Sequence, residues 1–115
     1  MGVGPSGDEL VEQLAALANP IRLRIVARLA GGRDYVSQLA RDIGISRPLL
    51  HMHLQRLEAA GLVVGALELS EDGKAMKFYE LADFDLRLTP SALVAAAETL
   101  TRPDPRPGPA PEEGT

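Results

Sequence analysis

Cysteine is absent from the 115 residues, which excludes disulfide bonds and thiolate metal centres outright. Lysine is scarce: Lys74 and Lys77 are the only two, and arginine supplies the other basic side chains. No apolar run approaches the roughly 20 residues of a membrane span, and no apolar stretch after Met1 reads as a signal peptide. A cytoplasmic chain without membrane contact is therefore expected. Catalytic signatures are missing as well. There is no phosphate loop, no nucleophile–base pair at sensible spacing, and no pair of carboxylates placed for a cleft. The sequence reads as a non-enzyme, with no cofactor and no metal expected. It carries no internal repeat, and its length fits one domain whose modest core would gain from a partner.

What is present is concentrated between Val36 and Val64, VSQLARDIGISRPLLHMHLQRLEAAGLVV. This reads as two helices joined by a tight turn and followed at once by a strand. Leu39, Ile43, Ile45, Leu50 and Leu54 fall on helical spacing and point inward, with small Ala40 where the helices cross. Gly44 takes the turn, where a residue lacking Cβ adopts a left-handed conformation cheaply. Arg47, His51 and Gln55 are then left on one face of the second helix with nothing apolar to meet. A helix with a buried seam and a hydrogen-bonding outer face suits the major groove of double-stranded DNA. The stretch therefore reads as a DNA-binding helix-turn-helix.

Around it, the spacing predicts a mainly α protein with one small β-hairpin. Residues 1–7 are expected as a disordered Gly-rich arm, 8–101 as the folded domain, and 102–115 as a Pro-rich disordered tail. Helix 1 is expected from Asp8 to Ala18, with Leu10, Leu14 and Leu17 in one stripe. Asn19-Pro20 ends it and starts helix 2, asparagine capping and proline at the first position. Ile21, Ile25 and Leu29 line the inner face of helix 2; Arg22, Arg24 and Arg28 are read as solvated or approaching phosphates. Helix 3 is expected over Tyr35–Ile43 with Asp34 as its cap, and helix 4 from the Ser46 cap to Ala60. Strands on either side of Ser70-Glu71-Asp72-Gly73 form the hairpin, with Leu67, Leu69, Tyr79 and Leu81 covering the core. An extended linker, Ala82–Leu88, leads to a short alanine-rich helix announced by Thr89-Pro90.

The net charge of −4 runs against the basic footprint of a DNA binder, but its distribution does not. Between Pro20 and Tyr79 nine Lys/Arg face six Asp/Glu, a local balance of +3. The remaining acids lie mainly in the flanks. Salt-sensitive binding with weak affinity for random DNA is the expectation.

Candidate DNA contacts are Ser37 and Gln38 at the start of helix 3, and Ser46, Arg47, Pro48, His51, Met52 and Gln55 on helix 4. Lys74 and Lys77 join them from the hairpin. Arg47 can pair with guanine or a phosphate, Gln55 with adenine, and Met52 with a thymine methyl. His51 and His53 lie two apart on a helix, point away from each other and cannot share a metal. His53 falls on the inward side and reads as a core histidine.

Leu17–Leu29 (LANPIRLRIVARL), the helix-turn-helix and His53–Val63 (HLQRLEAAGLV), in that order, resemble the ArsR/SmtB family of bacterial winged-helix repressors. The resemblance spans about Leu14 to Leu81. It implies a winged helix-turn-helix that dimerises through its first and last helices and represses from a palindromic operator. On that implication Leu10, Leu14, Leu17, Leu93, Ala97 and Leu100 form the homodimer interface. Metal-sensing members place cysteines at the start of the third helix or His and acidic ligands on the last. Here the first position reads Tyr35-Val36-Ser37-Gln38, and Pro90–Thr101 carries Glu98 as its only ionisable residue, too few donors for a transition-metal site. A small organic effector or a protein partner is left as the signal, with an apolar pocket expected around Leu14, Leu17, Phe84 and Leu93. The wing tip carries Glu71-Asp72, which would repel phosphates, with Lys74 and Lys77 compensating. The competing reading is a winged-helix protein–protein interaction module with little DNA affinity.

Overall fold

Capping chemistry written into the sequence sets most of the helix boundaries. The computed structural model describes residues 4–101. Its elements are α1 (Gly7–Leu17), α2 (Pro20–Leu29), β1 (Asp34–Tyr35), α3 (Val36–Ile43), α4 (Arg47–Ala59), β2 (Val63–Leu69), β3 (Ala75–Leu81) and α5 (Pro90–Ala97). The Asn19 side chain accepts from the backbone N–H groups of Ile21 (2.9 Å) and Arg22 (3.1 Å), satisfying two donors that a helix start leaves unpaired. Ser46 caps α4 by accepting from Leu49 N–H at 3.3 Å, and Thr89 caps α5 in the same way through Ala92. Gly44, at φ 84°, closes α3 with its N–H on the Ala40 carbonyl.

The N-terminal boundary differs from expectation. Ser6 and Gly7 belong to α1, not to an arm; residues 1–3 and 102–115 lie outside the described residues. Ser6 and Glu9 form a reciprocal capping box, Glu9 N–H to the Ser6 hydroxyl and Ser6 N–H to the Glu9 carboxylate. Gly7 is buried because α5 leans against it: its N–H donates to Thr99 Oγ1 at 2.7 Å. A Cβ there would strike the Ala96 carbonyl oxygen and lie 2.7 Å from Leu100 Cγ. Beyond Ala97 the chain leaves the helix, and Thr101 N–H donates to Asp8 at 3.1 Å. The last helix is thus shorter than predicted, because Thr99 and Thr101 turn to tie down the start of α1.

A strand that sequence periodicity does not reveal is β1. Asp34 pairs with Tyr79 and Tyr35 with Phe78, adding a short third strand to the hairpin in the order β1-β3-β2. Asp34 is therefore not the cap of α3, which starts at Val36 with no side-chain cap. Its carboxylate instead lies 3.0 Å from the Arg28 guanidinium, which also donates to Asp42 at 3.0 Å. Arg28 stitches α2 to β1 and α3 and is not a free phosphate ligand.

The core forms where α2, α3, α4 and the root of the sheet meet. Ile25, Leu29, Leu39, Leu50, Leu54, Leu57, Leu62, Val63 and Tyr79 are buried there, with Ile21, Ile43, Ile45, Leu81 and Phe84 packed around them. Burying one such leucine contributes about 1.5–3 kcal/mol. Leu67 and Leu69 do not join the core: they are 68% and 72% exposed. Their alternation puts them on the face of Val63, but the hairpin outruns the core, so only its root is covered.

Two side-chain arrangements anchor the hairpin. Gly65 sits opposite Tyr79, and a Cβ on it would come within 2.6 Å of the Tyr79 ring. Tyr35 donates its hydroxyl to Glu68 Oε1 at 2.5 Å, and Arg33 meets the same carboxylate at 3.2 Å. Arg33 also lies over the Phe78 ring, 4.3 Å from its centre. The tyrosine hydrogen bond, then Arg33, hold the Glu68 carboxyl below its ordinary value.

Gly65→Ala should lower stability by about 1–3 kcal/mol, the usual cost of overpacking against a ring with nowhere to go. A urea midpoint equal to that of the parent would contradict the close approach. Tyr35→Phe should raise the Glu68 pKa toward the ordinary 4.5, followed by carboxyl NMR. Glu68 has a depressed folded-state pKa, so its stabilisation is present above that ordinary value and lost as pH falls through the lowered one. The variant should therefore show a shallower acid limb in stability against pH; an unmoved Glu68 titration would show that the hydroxyl contact is not formed.

Candidate nucleic-acid interface

Helix α4 is divided lengthwise by its packing. At about 100° of rotation per residue, Leu50, His53, Leu54 and Leu57 form one continuous buried side. Opposite them lie Pro48, Met52, Gln55 and Ala59, all exposed, with His51 and Arg47 on one shoulder and Arg56 on the other. The structure thus brings together Arg47, Pro48, His51, Met52 and Gln55 on one accessible surface and puts Met52, 50% exposed, near its centre. Gln55 Nε2 is 3.3 Å from His51 Nε2, so these two side chains are held side by side. Ser46 is exposed at the helix start, where its hydroxyl is engaged in capping and its neighbouring N–H groups carry the positive end of the helix dipole.

The start of α3 contributes less freedom. Ser37 is half-buried and Gln38 exposed. Gln38 donates to Asp42 at 2.9 Å and accepts from Arg41 at 3.4 Å. The Asp42 carboxyl is held low by Gln38 first and by Arg28 second. Arg41 and Arg56 are exposed basic residues on the two helices of the motif that the pattern of polar faces did not single out. Arg41 is followed directly by Asp42, and Arg56 lies two residues before Glu58, which made both look like ordinary surface pairs. Among the described residues neither Arg47 nor Arg56 forms an ion pair.

On the wing, Lys74 and Lys77 are exposed, and the Lys77 ammonium lies 5.4 Å from the centre of the Tyr79 ring. At the tip Asp72 is held by the Ser70 hydroxyl and, at 3.4 Å, by Lys74 N–H. These contacts, the hydroxyl first, lower its pKa. The acid therefore shapes the turn as well as adding charge.

Behind α4, His53 is only 5% exposed, in keeping with a core histidine. Its Nδ1 lies 3.1 Å from Arg22 NH1, while Arg22 Nε donates to the Ala16 carbonyl at 2.6 Å. Arg22 is thus turned inward between helices, contrary to the outward direction expected of it. Burial, reinforced by the Arg22 charge, pushes the His53 pKa down.

The terminal helices present a second surface. Leu93, Ala97 and Leu100 are exposed, as are Val11 and Val94, which is 61% exposed. Leu14 and Leu17 are half-buried and Leu10 is buried within the protomer. Between α1, α5 and the linker runs a groove of about 980 Å³, bordered by Glu9, Leu10, Asp85, Arg87, Ala96 and Thr99 among others. Its lining is not the set expected: Leu17 and Phe84 pack on the core, Leu93 is exposed, and Glu9, Asp85 and Arg87 take part in the lining. Among the described residues no helix is long and apolar enough to cross a membrane.

Comparison with known proteins agrees with this architecture. Residues 19–64 match the family described as bacterial regulatory protein, arsR family. An HTH-type transcriptional regulator of Methanocaldococcus jannaschii is 36% identical over 76 residues, covering 66% of this chain and 79% of that protein. The HTH-type transcriptional repressor SmtB of Mycobacterium tuberculosis is 37% identical over 79 residues, 69% of this chain but 55% of that protein. The chain thus spans about half the length of that repressor. A homodimeric winged helix-turn-helix DNA-binding domain from Mycobacterium bovis, solved in solution and titled a possible ArsR-family regulator, superposes with a TM-score of 0.56. It is 29% identical, and the match covers 66% of each chain. With the family match over the helix-turn-helix and the Methanocaldococcus jannaschii relative covered over most of its length, the chain belongs to the arsR family of bacterial regulatory proteins.

Proposed function

We propose that the protein is a sequence-specific, DNA-binding transcriptional regulator that acts as a homodimeric repressor on a palindromic operator. The observation that carries this is the two-sided α4. Its packing is complete on the side of Leu50, Leu54 and Leu57, while Arg47, Pro48, His51, Met52 and Gln55 are left exposed beside a hairpin wing. Arg47, at the end of α4 that would enter the groove first, is suited to guanine or phosphate, Gln55 with His51 to base edges, and Met52 to a thymine methyl. Ser37, Gln38 and Ser46 approach the phosphates, and Lys74 and Lys77 do so from the wing. The names of the relatives, a repressor among them, point the same way.

Dimerisation is assigned to the exposed faces of α1 and α5, through Leu93, Ala97 and Leu100, with Leu14 and Leu17 at the margin. Leu10 supports that surface from inside the protomer, and Val94 extends it. A two-fold axis there would place two α4 helices on successive major grooves of a palindrome. The groove beside α1 and α5 is offered as the site for a small organic effector, since the ligand sets of metal-sensing members are not present in this sequence.

Fluorescence anisotropy against DNA from the protein's own upstream region, with scrambled DNA beside it, tests the reading. Selective binding that weakens steeply with salt is expected. Arg47→Ala should cost about 1–3 kcal/mol of operator affinity, and the Arg47→Ala/His51→Ala double variant should abolish selectivity. Equal, feeble binding to both DNAs would instead favour the protein-interaction reading, to which the exposed Leu67 and Leu69 of the wing are suited. For assembly, Val94→Glu should convert a sedimenting dimer into a monomer that keeps its helical circular-dichroism spectrum. A dimer unchanged by that substitution would place the interface elsewhere.

A further inference from the structure

Among the described residues, other elements hold α4 mainly by apolar packing. Leu50, Leu54 and Leu57 hold it by packing, which is strong but has no preferred direction. Among the described residues, the one side-chain hydrogen bond reaching α4 from another helix or strand is that of Arg22 with His53, while Ser46 caps it from the adjoining turn. Arg22 is itself fixed, because its Nε donates to the carbonyl of Ala16 near the end of α1. A guanidinium can only donate, so His53 Nδ1 must accept and the ring proton must sit on Nε2. The bond therefore requires a neutral imidazole and has a definite direction.

We propose that Arg22 and His53 are positioning residues that set the rotation of the recognition helix relative to α1, and that a proton on His53 releases that setting and weakens DNA binding. The inference rests on the reading of α4 as the DNA-contacting helix. A proton on Nδ1 removes the acceptor and puts a second cation 3.1 Å from a permanent one in a buried position. The charged group facing His53 is Arg22 of α2, α1 supplies the neutral Ala16 carbonyl, and Glu58 of α4 acts on Tyr79. No carboxylate contributes to the His53 shift, so none compensates the added charge. The pKa of His53 is lowered in the folded protein, first by burial and then by Arg22. Its neutral, bonded form is therefore complete above the ordinary 6.5, and is lost as pH falls through the lowered value. His53 is one residue from Met52 and two from His51 and Gln55, so a turn of α4 displaces all three.

The test uses the full chain in a His51→Gln background, which leaves His53 as the only histidine and whose own affinity at pH 7.5 is the reference. Operator binding should fall about tenfold between pH 7.5 and the acid side of the His53 titration, a loss of about 1.4 kcal/mol. His53→Asn retains an acceptor near the Nδ1 position without titrating. It should bind at pH 7.5 and lose this pH dependence. His53→Leu, which keeps bulk but no acceptor, should bind weakly at both pH values. If His53→Leu does not fold, the asparagine variant still decides. Binding that is tight and flat with pH in the His51→Gln protein would overturn the inference, as would an equal acid loss in His53→Asn.

A second arm needs no DNA. Nitrogen-15 shifts should show the His53 proton on Nε2, and amide shifts of Ala16 and of residues 51–55 should move together with the His53 titration. A proton on Nδ1, or amides that ignore the titration, would overturn the inference even if DNA binds. If no DNA binds at any pH, the functional reading fails, and the nitrogen-15 arm judges the Arg22–His53 tie by itself.

Discussion

Three leucines on one side of α4 organise the molecule. Leu50, Leu54 and Leu57 are spaced so that successive turns of a helix present them in one line, and all three are completely buried. The surfaces they meet come from separate parts of the chain: Ile25 and Leu29 from α2, Leu39 from α3, Leu62 and Val63 at the entry to the hairpin, and Tyr79 from β3. Each element is too short to be stable by itself in water. Burial against this line is what keeps them together. It also fixes which half of α4 is left free, and that free half holds the residues assigned to DNA. Because the outer residues contribute nothing to the core, their chemistry is set by recognition and not by packing.

The same economy governs charge. An acidic chain can carry a basic working face if its arginines are divided between internal and external tasks. Arg28 is committed to Asp34 and Asp42, Arg33 to Glu68 and the face of Phe78, and Arg22 to the Ala16 carbonyl and His53. Arg41, Arg47 and Arg56 remain exposed on the two motif helices, with Lys74 and Lys77 on the wing. The internal set ties elements together through directional bonds; the external set, on the proposed reading, would release counterions when phosphates replace them. Counting charges over the whole chain hides this division, since the two sets are indistinguishable in composition.

How much of this could be read from residues alone follows from the range of the interactions. Asn19-Pro20, Ser46, Gly44 and Asp72-Gly73 act on their immediate neighbours, so local chemistry reveals the breaks and caps they make. The buried line of α4 and the inward His53 also follow from helical phase alone. Strand β1 does not: two residues, Asp34 and Tyr35, show no period, and only their partners on β3 make them a strand. The inward turn of Arg22 and the double clamp of Arg28 depend on groups 6 to 31 residues away, where no pattern in a single chain registers. Leu67 and Leu69 show a different failure. Their alternation was legible, but whether a core reaches that far up the hairpin depends on the depth of the helical layer, which alternation does not encode.

The terminal regions connect these points. One end of α1 is closed against α5 by the Gly7 contact, the Thr99 hydroxyl and the bond between Thr101 and Asp8. Nine residues further on, about two and a half turns, the Ala16 carbonyl receives Arg22, and Arg22 reaches His53 on α4. Helix α1 is continuous over that distance, Gly7–Leu17, so a displacement at one end is carried toward the other. A group entering the α1–α5 groove, or a partner helix pressing on Leu93 and Val94, would act on one end of this helix. Its far end holds Arg22, which makes the one side-chain hydrogen bond to α4 from another helix or strand among the described residues. Apolar packing supplies most of the cohesion of α4, and on the proposed reading the directional bond selects among the closely related settings that this packing allows. On the proposed reading, that division of labour, packing for cohesion and a polar tie from α2 for orientation, would give the surface opposite Leu54 a defined angle to α1 while leaving it adjustable.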